Sequence, residues 1–145
     1  MARNPYKQGV YTPEHNNKYR GSTPIFYRSG LELRFMRWCD RNDNVVSWGS
    51  ESVVIPYISP LDGKPHKYFI DFILALKTPT GVAKYIVELK PHKQTFPPGP
   101  AGKKKPSTIF HEQVEWAKNS QKWLSAKAWA EKNNIKFMIL TEKDL

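Results

Sequence analysis

Two carboxylates and one ammonium group interrupt apolar segments near the middle of the chain, at Asp71, Glu88 and Lys90. Two opposed carboxylates repel each other, whereas a divalent cation between them converts this repulsion into a binding site. Because Mg²⁺ prefers oxygen ligands, Asp71, Glu88 and the backbone carbonyl of Leu89 are predicted to bind it. Lys90 is predicted to position the attacking water or a phosphate. Together these residues predict metal-dependent phosphodiester hydrolysis with Mg²⁺, for which Mn²⁺ is able to substitute.

These side chains come together if their segments form an antiparallel hairpin. Residues 67–76 and 83–90 alternate and are rich in β-branched and aromatic residues, which predicts two strands. Residues 77–81 predict the turn between them. A hairpin centred in this turn pairs Asp71 with Glu88, so that their Cβ atoms lie roughly 4.5–5.5 Å apart and Lys90 follows on the same face. The sequence therefore predicts one carboxylate cluster of three side chains.

The other predicted elements form an α/β domain around this hairpin. Helical spacing of apolar residues predicts helices over residues 29–42 and 109–132. Alternating apolar residues predict two further strands, over residues 52–58 and 136–142. This order predicts a mixed β-sheet flanked by helices, in a domain that covers residues 25–145.

Two basic segments flank these elements. Residues 1–24 are polar and rich in Pro, Gly and Asn, which predicts an N-terminal arm that is either flexible or loosely draped over the domain. Residues 91–108 are rich in Pro, Gly and Lys, which predicts a long basic loop. The formal net charge of +10 predicts a polyanionic partner such as DNA or RNA, with solubility as the alternative. The mean hydropathy of -0.63 and the lack of a long apolar run predict no membrane span.

Several polar residues outside the carboxylate cluster are predicted to contact nucleic acid. Arg28 either pairs with Glu32 or contacts a phosphate. The loop lysines either bind phosphates or keep the loop solvated, and Asn119 and Lys122 either reach the cleft or lie on an exposed helix face. The predicted contacts are Arg28, Lys93, Lys103, Lys104, Lys105, Asn119 and Lys122.

Glu32 has two interpretations. The run Ser29-Gly30-Leu31-Glu32 fits a capping box, in which Ser29 and Glu32 bind the first backbone N–H groups of the helix. Glu32 also lies within an apolar stripe beside Leu31 and near Phe35, which favours a carboxylate that faces inward. In that orientation Glu32 is predicted to be a third carboxylate at the metal site.

Two apolar stripes run along the second predicted helix, which predicts burial on more than one side. One stripe contains Trp116 and Trp123 and is predicted to belong to the core rather than to a base-stacking surface. The other stripe contains Phe110, Val114, Ala117, Leu124 and Ala128.

A Glu on a helix, an Asp on a strand and a Glu-x-Lys run on the next strand resemble the motif of the PD-(D/E)XK nuclease superfamily, which includes the TnsA-type transposon end-cutting nucleases. The matching residues are Glu32, Asp71 and Glu88-Leu89-Lys90. One departure is Ile70, where the motif has proline. The resemblance implies the mixed α/β nuclease fold and places the active site on Glu32, Asp71, Glu88 and Lys90.

Longer segments between about residues 19 and 142 resemble the head completion nucleases of T-even-like tailed phages. Among them are YRSGLELRFMRW, DGKPHKYFIDF, YIVELKPHKQTFPP and VEWAKNSQKW. The resemblance implies a Mg²⁺-dependent deoxyribonuclease that acts at the packaged DNA end late in virion assembly. It also implies double-stranded DNA and portal or neck proteins as partners. The implied location is the host cytoplasm during assembly, with the head–tail junction of the virion as a further place.

Two other functions fit the same residues. A structural protein of the neck or portal vertex would use the nuclease fold as a scaffold, because a fold alone does not determine function. The intact carboxylate cluster argues against a purely structural role, since an opposed carboxylate pair is costly to keep unused. A junction resolvase would use the same chemistry on branched DNA.

Overall fold

A four-stranded sheet forms the centre of the computed structural model, which describes residues 8–145. Two pairs of strands form small sheets of their own, and two helices complete the described fold. In chain order the elements are β1 (Gly9–Tyr11), β2 (Ile25–Tyr27), α1 (Gly30–Arg41), β3 (Val45–Ser50), β4 (Val54–Ile58), β5 (Pro65–Phe69), β6 (Phe72–Thr78), β7 (Gly81–Leu89), α2 (Pro106–Lys132) and β8 (Lys136–Leu140). This mixed α/β architecture confirms the predicted fold class.

The central sheet has the strand order β3-β6-β7-β8, in which the β7–β8 pair is parallel and the other pairs are antiparallel. Strands β6 and β7 form the predicted hairpin, with Thr78 opposite Gly81 and Phe72 opposite Val87. Gly81 has a φ of 145°, a conformation that glycine adopts without steric penalty. The turn is centred where the sequence predicted it, so the predicted register is confirmed.

The prediction of one continuous strand over residues 67–76 is wrong, because the structure divides this segment into β5 and β6. The division falls at Ile70 and Asp71. The Ile70 N–H donates to the Val53 carbonyl at 3.0 Å, and the Asp71 carbonyl accepts from the Glu51 N–H at 2.9 Å. Strand β5 pairs with β4, so the chain crosses from the small sheet to the central sheet at this point. Asp71 therefore lies one residue before the β6–β7 ladder begins.

Each helix covers one face of the central sheet. Helix α1 packs Phe35 against Phe72 on one face, in a cluster of buried apolar residues. On the opposite face, Ala126 of α2 packs in a second cluster with Ile86 and the β4–β5 sheet. Because side chains alternate along a strand, Glu88 shares the face of Ile86. The carboxylate cluster therefore lies on the face that α2 and the β4–β5 sheet cover.

The burial of helix α2 differs from the sequence prediction. Phe110 and Leu124 of the predicted stripe are 71% and 64% exposed, whereas Ala126 and Ala130 are buried. Small alanine side chains let the helix approach the sheet closely, and Trp123 packs against the same cluster. The stripe that contains Phe110 and Leu124 is therefore not a buried face. No helix within residues 8–145 has the length and hydropathy needed to cross a membrane.

Asp40, on helix α1, is a fully buried carboxylate with three hydrogen-bond donors. The Tyr11 hydroxyl donates to Asp40 Oδ2 at 2.7 Å. The backbone N–H groups of Glu14 and His15 donate to the same carboxylate at 2.7 and 2.9 Å. Burial raises the pKa of Asp40, but these hydrogen bonds favour the charged form more strongly, so its pKa lies below the usual value.

These contacts attach the described part of the predicted arm to the domain. Lys18 Nζ donates to the Asp40 and Asn42 carbonyls at the end of α1, at 3.0 and 2.7 Å. Of the two alternatives for the arm over residues 1–24, the contacts within residues 8–24 favour the draped one, because polar groups on α1 bind this segment. Residues 1–7 of that prediction lie outside the described residues.

Replacing Asp40 by asparagine is expected to lower the free energy of unfolding at pH 7 by about 2–3 kcal/mol, because the charged acceptor of three hydrogen bonds is lost. The native pKa of Asp40 is depressed, so its contribution is present above the ordinary aspartate pKa of about 3.9 and is lost as the pH falls through the native pKa. Urea unfolding at pH 7 and pH 2 measures both effects. Asp43→Asn, at an exposed position, is the control, and equal stabilities of Asp40→Asn and wild type at pH 7 would contradict the assignment.

The predicted loop over residues 91–108 is shorter in the structure. A short 3₁₀ helix, His92–Thr95, forms near its beginning. Helix α2 already begins at Pro106, which suits the first helical position because its missing N–H leaves no donor unpaired. The irregular part of the loop therefore covers residues 96–105.

Candidate active site

The hairpin and the residue that precedes it bring Asp71, Glu88 and Lys90 together. Asp71 Oδ2 accepts a hydrogen bond from the Leu89 backbone N–H at 2.8 Å, which holds its carboxylate beside β7. Lys90 Nζ lies 3.8 Å from Glu88 Oε1. Glu88 is buried, whereas Asp71 and Lys90 are half-buried. The three side chains thus form the predicted cluster, although Asp71 lies outside the strand ladder.

Tyr68 belongs to the same cluster and was missed by sequence reasoning. Its hydroxyl donates a hydrogen bond of 2.6 Å to Glu88 Oε2, and the Tyr68 side chain is buried. Tyr68 lies on β5, which pairs with β4 and not with the hairpin. Because the sequence predicted one continuous strand through this region, nothing in the local pattern distinguished Tyr68 from an ordinary core residue.

Both carboxylates of the cluster resist ionisation. Burial raises the pKa of Asp71 well above its usual range, and repulsion by Glu88 raises it further. Burial also raises the pKa of Glu88, although the Tyr68 hydroxyl and the Lys90 ammonium favour its charged form. Burial is therefore the main reason that both carboxyl groups hold their protons more tightly than usual.

This donor set fits a hard divalent cation. Asp71 and Glu88 offer carboxylate oxygens where burial disfavours both anions, and a bound cation would remove that penalty. Among residues 8–145, no three His, Cys, Asp or Glu side chains lie close enough together to enclose a metal ion alone. The remaining ligands of such a cation must therefore include other oxygens.

Helix α1 has the Ser29 half of the predicted capping box, whereas the Glu32 carboxylate binds an N–H one residue before the N-cap. The Ser29 hydroxyl accepts a hydrogen bond from the Glu32 N–H at 3.1 Å, and Glu32 Oε2 accepts one from the Arg28 N–H at 2.8 Å. Burial raises the pKa of Glu32, and its charge in turn raises the pKa of Asp71. Glu32 therefore binds the chain just before α1, and its carboxylate also acts electrostatically on the cluster.

The Arg28 side chain does not pair with Glu32, which was one of its two predicted roles. Its guanidinium forms an ion pair with Glu51, and only its backbone N–H binds Glu32. Because the Arg28 side chain is largely exposed, its charge lies at the protein surface.

Helix α2 packs over the sheet face that carries the cluster and places Lys122 beside Tyr68. Lys122 Nζ lies 5.7 Å from the centre of the Tyr57 ring and 5.5 Å from that of Tyr68, within the range of cation–π attraction. Burial lowers the pKa of Lys122, with a further contribution from Lys118, whereas the charge of Glu88 raises it. The structure therefore favours the inward alternative for Lys122 over an exposed helix face.

A cleft of about 500 Å³ adjoins the cluster between the basic loop and α2. Lys90, Lys93, Lys104 and Asn119 line it, so Asn119 also faces inward. An ion pair of 2.9 Å joins Lys104 to Glu112 of α2. The neighbouring predicted contacts Lys103 and Lys105 are exposed and do not line this cleft.

Comparisons with known proteins identify the family. Residues 42–142 match the family described as "TnsA-like endonuclease N terminal", a region that contains Asp71, Glu88 and Lys90 and begins after Glu32. The chain is also 40% identical over 144 residues to a protein of Enterobacteria phage T4 named head completion nuclease. That similarity covers 94% of this chain and 92% of the relative. The resemblance inferred from the sequence is thereby confirmed.

Proposed function

This chain belongs to the TnsA-like endonuclease family, and on this premise we propose that it is a Mg²⁺-dependent deoxyribonuclease acting in phage head completion. The observation that carries the proposal is the Asp71–Glu88 carboxylate pair, with Lys90 Nζ 3.8 Å from Glu88. The similarity to the T4 head completion nuclease supports the proposed stage of action. At that stage the chain would act on double-stranded DNA at or near its packaged end.

Asp71 and Glu88 would bind the Mg²⁺ directly, with the Leu89 carbonyl as a further ligand. Glu32 would join them through a bound water, because within residues 8–145 no three carboxylates lie close enough together to surround one ion. Mn²⁺ would substitute because it accepts the same oxygen donors. When bound, such a cation supplies charge neutralisation at the phosphate and lowers the pKa of the attacking water. Tyr68 orients Glu88 by binding its Oε2, which leaves Oε1 directed toward Lys90.

Lys90 would provide the positive charge that the reaction requires beside the carboxylates. Its side chain is about one-quarter exposed, so the ammonium reaches both Glu88 and the space where a substrate binds. There it would donate a hydrogen bond to the attacking water or to a phosphate oxygen. Because this charge is in position before the reaction, the protein need not rearrange to stabilise the transition state.

The basic surface around the cluster is proposed to bind the DNA backbone, with little base specificity. The proposed contacts are Arg28, Lys93, Lys103, Lys104, Lys105, Asn119 and Lys122. If six or more phosphates are contacted, affinity is expected to fall by a factor of about 10³ or more between 50 and 200 mM salt. Fluorescence anisotropy of a labelled duplex in chelator measures this dependence. A change below about tenfold would contradict backbone binding.

Glu32→Gln separates the two roles of this residue. Glutamine keeps an acceptor oxygen for the Arg28 N–H but loses the charge, so stability should persist while cleavage falls about 10- to 100-fold. Ser29→Ala is the matched control, because it removes the Ser29 half of the capping box, costs about 1 kcal/mol of stability and should leave cleavage unchanged. Full activity of Glu32→Gln would restrict Glu32 to its local role at α1.

A structural role at the neck or portal vertex is a second candidate, and one surface favours it. Val54, Ile58 and Phe69 lie on the outer face of the β4–β5 sheet and are 42%, 51% and 53% exposed. Exposed apolar groups that lie together often mark protein contacts. On this alternative the chain meets portal or neck proteins in the host cytoplasm and remains at the head–tail junction. Normal head completion with Asp71→Asn protein would favour it.

Cleavage assays test the proposed activity directly. Purified protein is incubated with supercoiled, linear and four-way-junction DNA in Mg²⁺, in Mn²⁺ or in chelator. We expect strand cleavage with either metal and none in chelator. Undiminished cleavage in chelator would contradict metal dependence. A rate on junctions far above that on duplex would indicate a junction resolvase instead.

A further inference from the structure

The cleft beside the carboxylate cluster has the dimensions of a small-ligand site. Its volume of about 500 Å³ lies within the usual range of roughly 300–1,000 Å³ for such sites. Lys90 lines the cleft and also approaches Glu88, so the cleft opens directly beside the proposed position of the scissile phosphate. A volume of this size is that of a small molecule, so the cleft holds a nucleotide rather than a segment of duplex.

Two aromatic side chains form apolar walls of this cleft. Phe96 comes from the loop and Trp116 from α2. The Phe96 ring packs edge-on against His92 at a centroid distance of 4.9 Å, and Trp116 packs against Trp123 at 5.7 Å. These contacts hold both rings in place before a ligand arrives. Because every nucleobase has a π-face, held aromatic rings provide stacking surfaces for any base.

Polar groups of the cleft suit the rest of a nucleotide. The amides of Gln94 and Asn119 each offer donors and an acceptor, as the edge of a base requires. Lys90 and Lys93 supply positive charge for the adjoining phosphates. Glu112 and Glu115 also line the cleft, and each is paired with a lysine, Lys104 and Lys118 respectively. The Lys104–Glu112 ion pair joins the loop to α2 and keeps the walls together.

We propose that this cleft binds an unpaired nucleotide of the DNA strand next to the scissile phosphate. The inference rests on the proposed nuclease function and extends it to the structure of the substrate. A base that stacks on Phe96 or Trp116 in the cleft must turn its face away from its own neighbours in the DNA, so it would have left its complementary strand. The enzyme would therefore prefer DNA with a single-stranded segment at the cut site over fully paired duplex.

The test uses the full chain with two DNA substrates of the same sequence, one fully paired and one with a short single-stranded segment that carries 2-aminopurine. Binding is measured by fluorescence in chelator, and cleavage is measured separately in Mg²⁺. Wild type should bind the partly unpaired DNA about tenfold or more tightly than the duplex, through base stacking. Phe96→Ala should remove this preference and leave duplex binding unchanged. Phe110→Ala, at an exposed aromatic outside the cleft, should keep it.

Phe96 is the better site for the decisive variant because it is 55% exposed, whereas Trp116 also packs against Trp123. Equal affinity of wild type for the two DNAs would overturn the inference. So would a Phe96→Ala variant that loses the same factor of affinity for both DNAs. Competition by a free deoxynucleoside monophosphate as strong as that by the strand would also overturn it. A preference that depends on Phe96 without any cleavage in Mg²⁺ would support the cleft assignment while the nuclease function fails.

Discussion

Asp71→Asn is expected to reduce DNA cleavage about a thousandfold while the metal-free protein remains at least as stable as wild type. Loss of one charged ligand removes the several kilocalories per mole that a metal provides in the transition state, and about 4 kcal/mol corresponds to roughly a thousandfold in rate. The stability expectation has a separate cause. Burial and repulsion by Glu88 disfavour the charged Asp71, and a neutral amide avoids both effects. Asparagine also keeps an oxygen for the Leu89 N–H.

Single-turnover cleavage in Mg²⁺ and thermal unfolding in chelator measure the two parts of this prediction. Asp43→Asn is the matched control, because it makes the same chemical change at an exposed position. It should alter neither quantity. Cleavage by Asp71→Asn within tenfold of wild type would remove Asp71 from the active site. A large loss of stability would instead assign Asp71 a structural role.

Lys90→Ala is expected to lower the cleavage rate about 100- to 1,000-fold, as the loss of one preorganised charge does in other active sites. The Lys90 ammonium approaches Glu88 and lines the cleft, so its removal leaves the carboxylates without their nearest cation. Metal binding should persist, since lysine offers no oxygen ligand. The effect therefore falls on the chemical step.

Lys84→Ala provides the control for lost positive charge. Lys84 lies on β7, six residues before Lys90, and it is exposed and far along the strand from the cluster. Its replacement should weaken DNA binding slightly at most and leave the single-turnover rate at saturating enzyme unchanged. If Lys84→Ala and Lys90→Ala show the same modest loss, Lys90 contributes only to general electrostatic attraction.

The adjacency of Asp71, Glu88 and Lys90 was predictable because a two-residue turn determines the register of a hairpin. Once Pro79 and Thr80 occupy the turn, every later pair along both strands follows. The division at Ile70 and Asp71 was not predictable in the same way. Alternation continues through it without interruption, and the partners that cause it, Val53 and Glu51, lie in another part of the chain.

Residues whose role depends on distant partners were missed for the same reason. Tyr68 reaches Glu88 because β5 pairs with β4 in a separate sheet that packs on the hairpin instead of continuing β6. Asp40 looks like an ordinary helix acid, and its donors lie 25 to 29 residues earlier in the chain. On α2, both apolar stripes satisfy helical spacing. Which of them is buried depends on how closely Ala126 and Ala130 approach the sheet.

Glu32 has a local role at the start of α1 and an electrostatic role at the cluster. Sequence spacing alone predicted the capping box, and the structure confirms its Ser29 hydrogen bond, whereas the Glu32 carboxylate binds the Arg28 N–H rather than that of Ser29. The same side chain acts on the charge of Asp71. The motif at the start of α1 therefore holds a carboxylate whose charge reaches Asp71, which makes the Glu32→Gln and Ser29→Ala pair informative.

Calorimetric titration of the metal-free protein with Mn²⁺ tests the central claim, that Asp71 and Glu88 form a divalent metal site. Wild type and Asp43→Asn should show saturable binding. The double variant Asp71→Asn/Glu88→Gln should show none, although thermal unfolding should confirm that it is folded. Wild-type affinity for Mn²⁺ in the folded double variant would place the metal elsewhere and contradict the account.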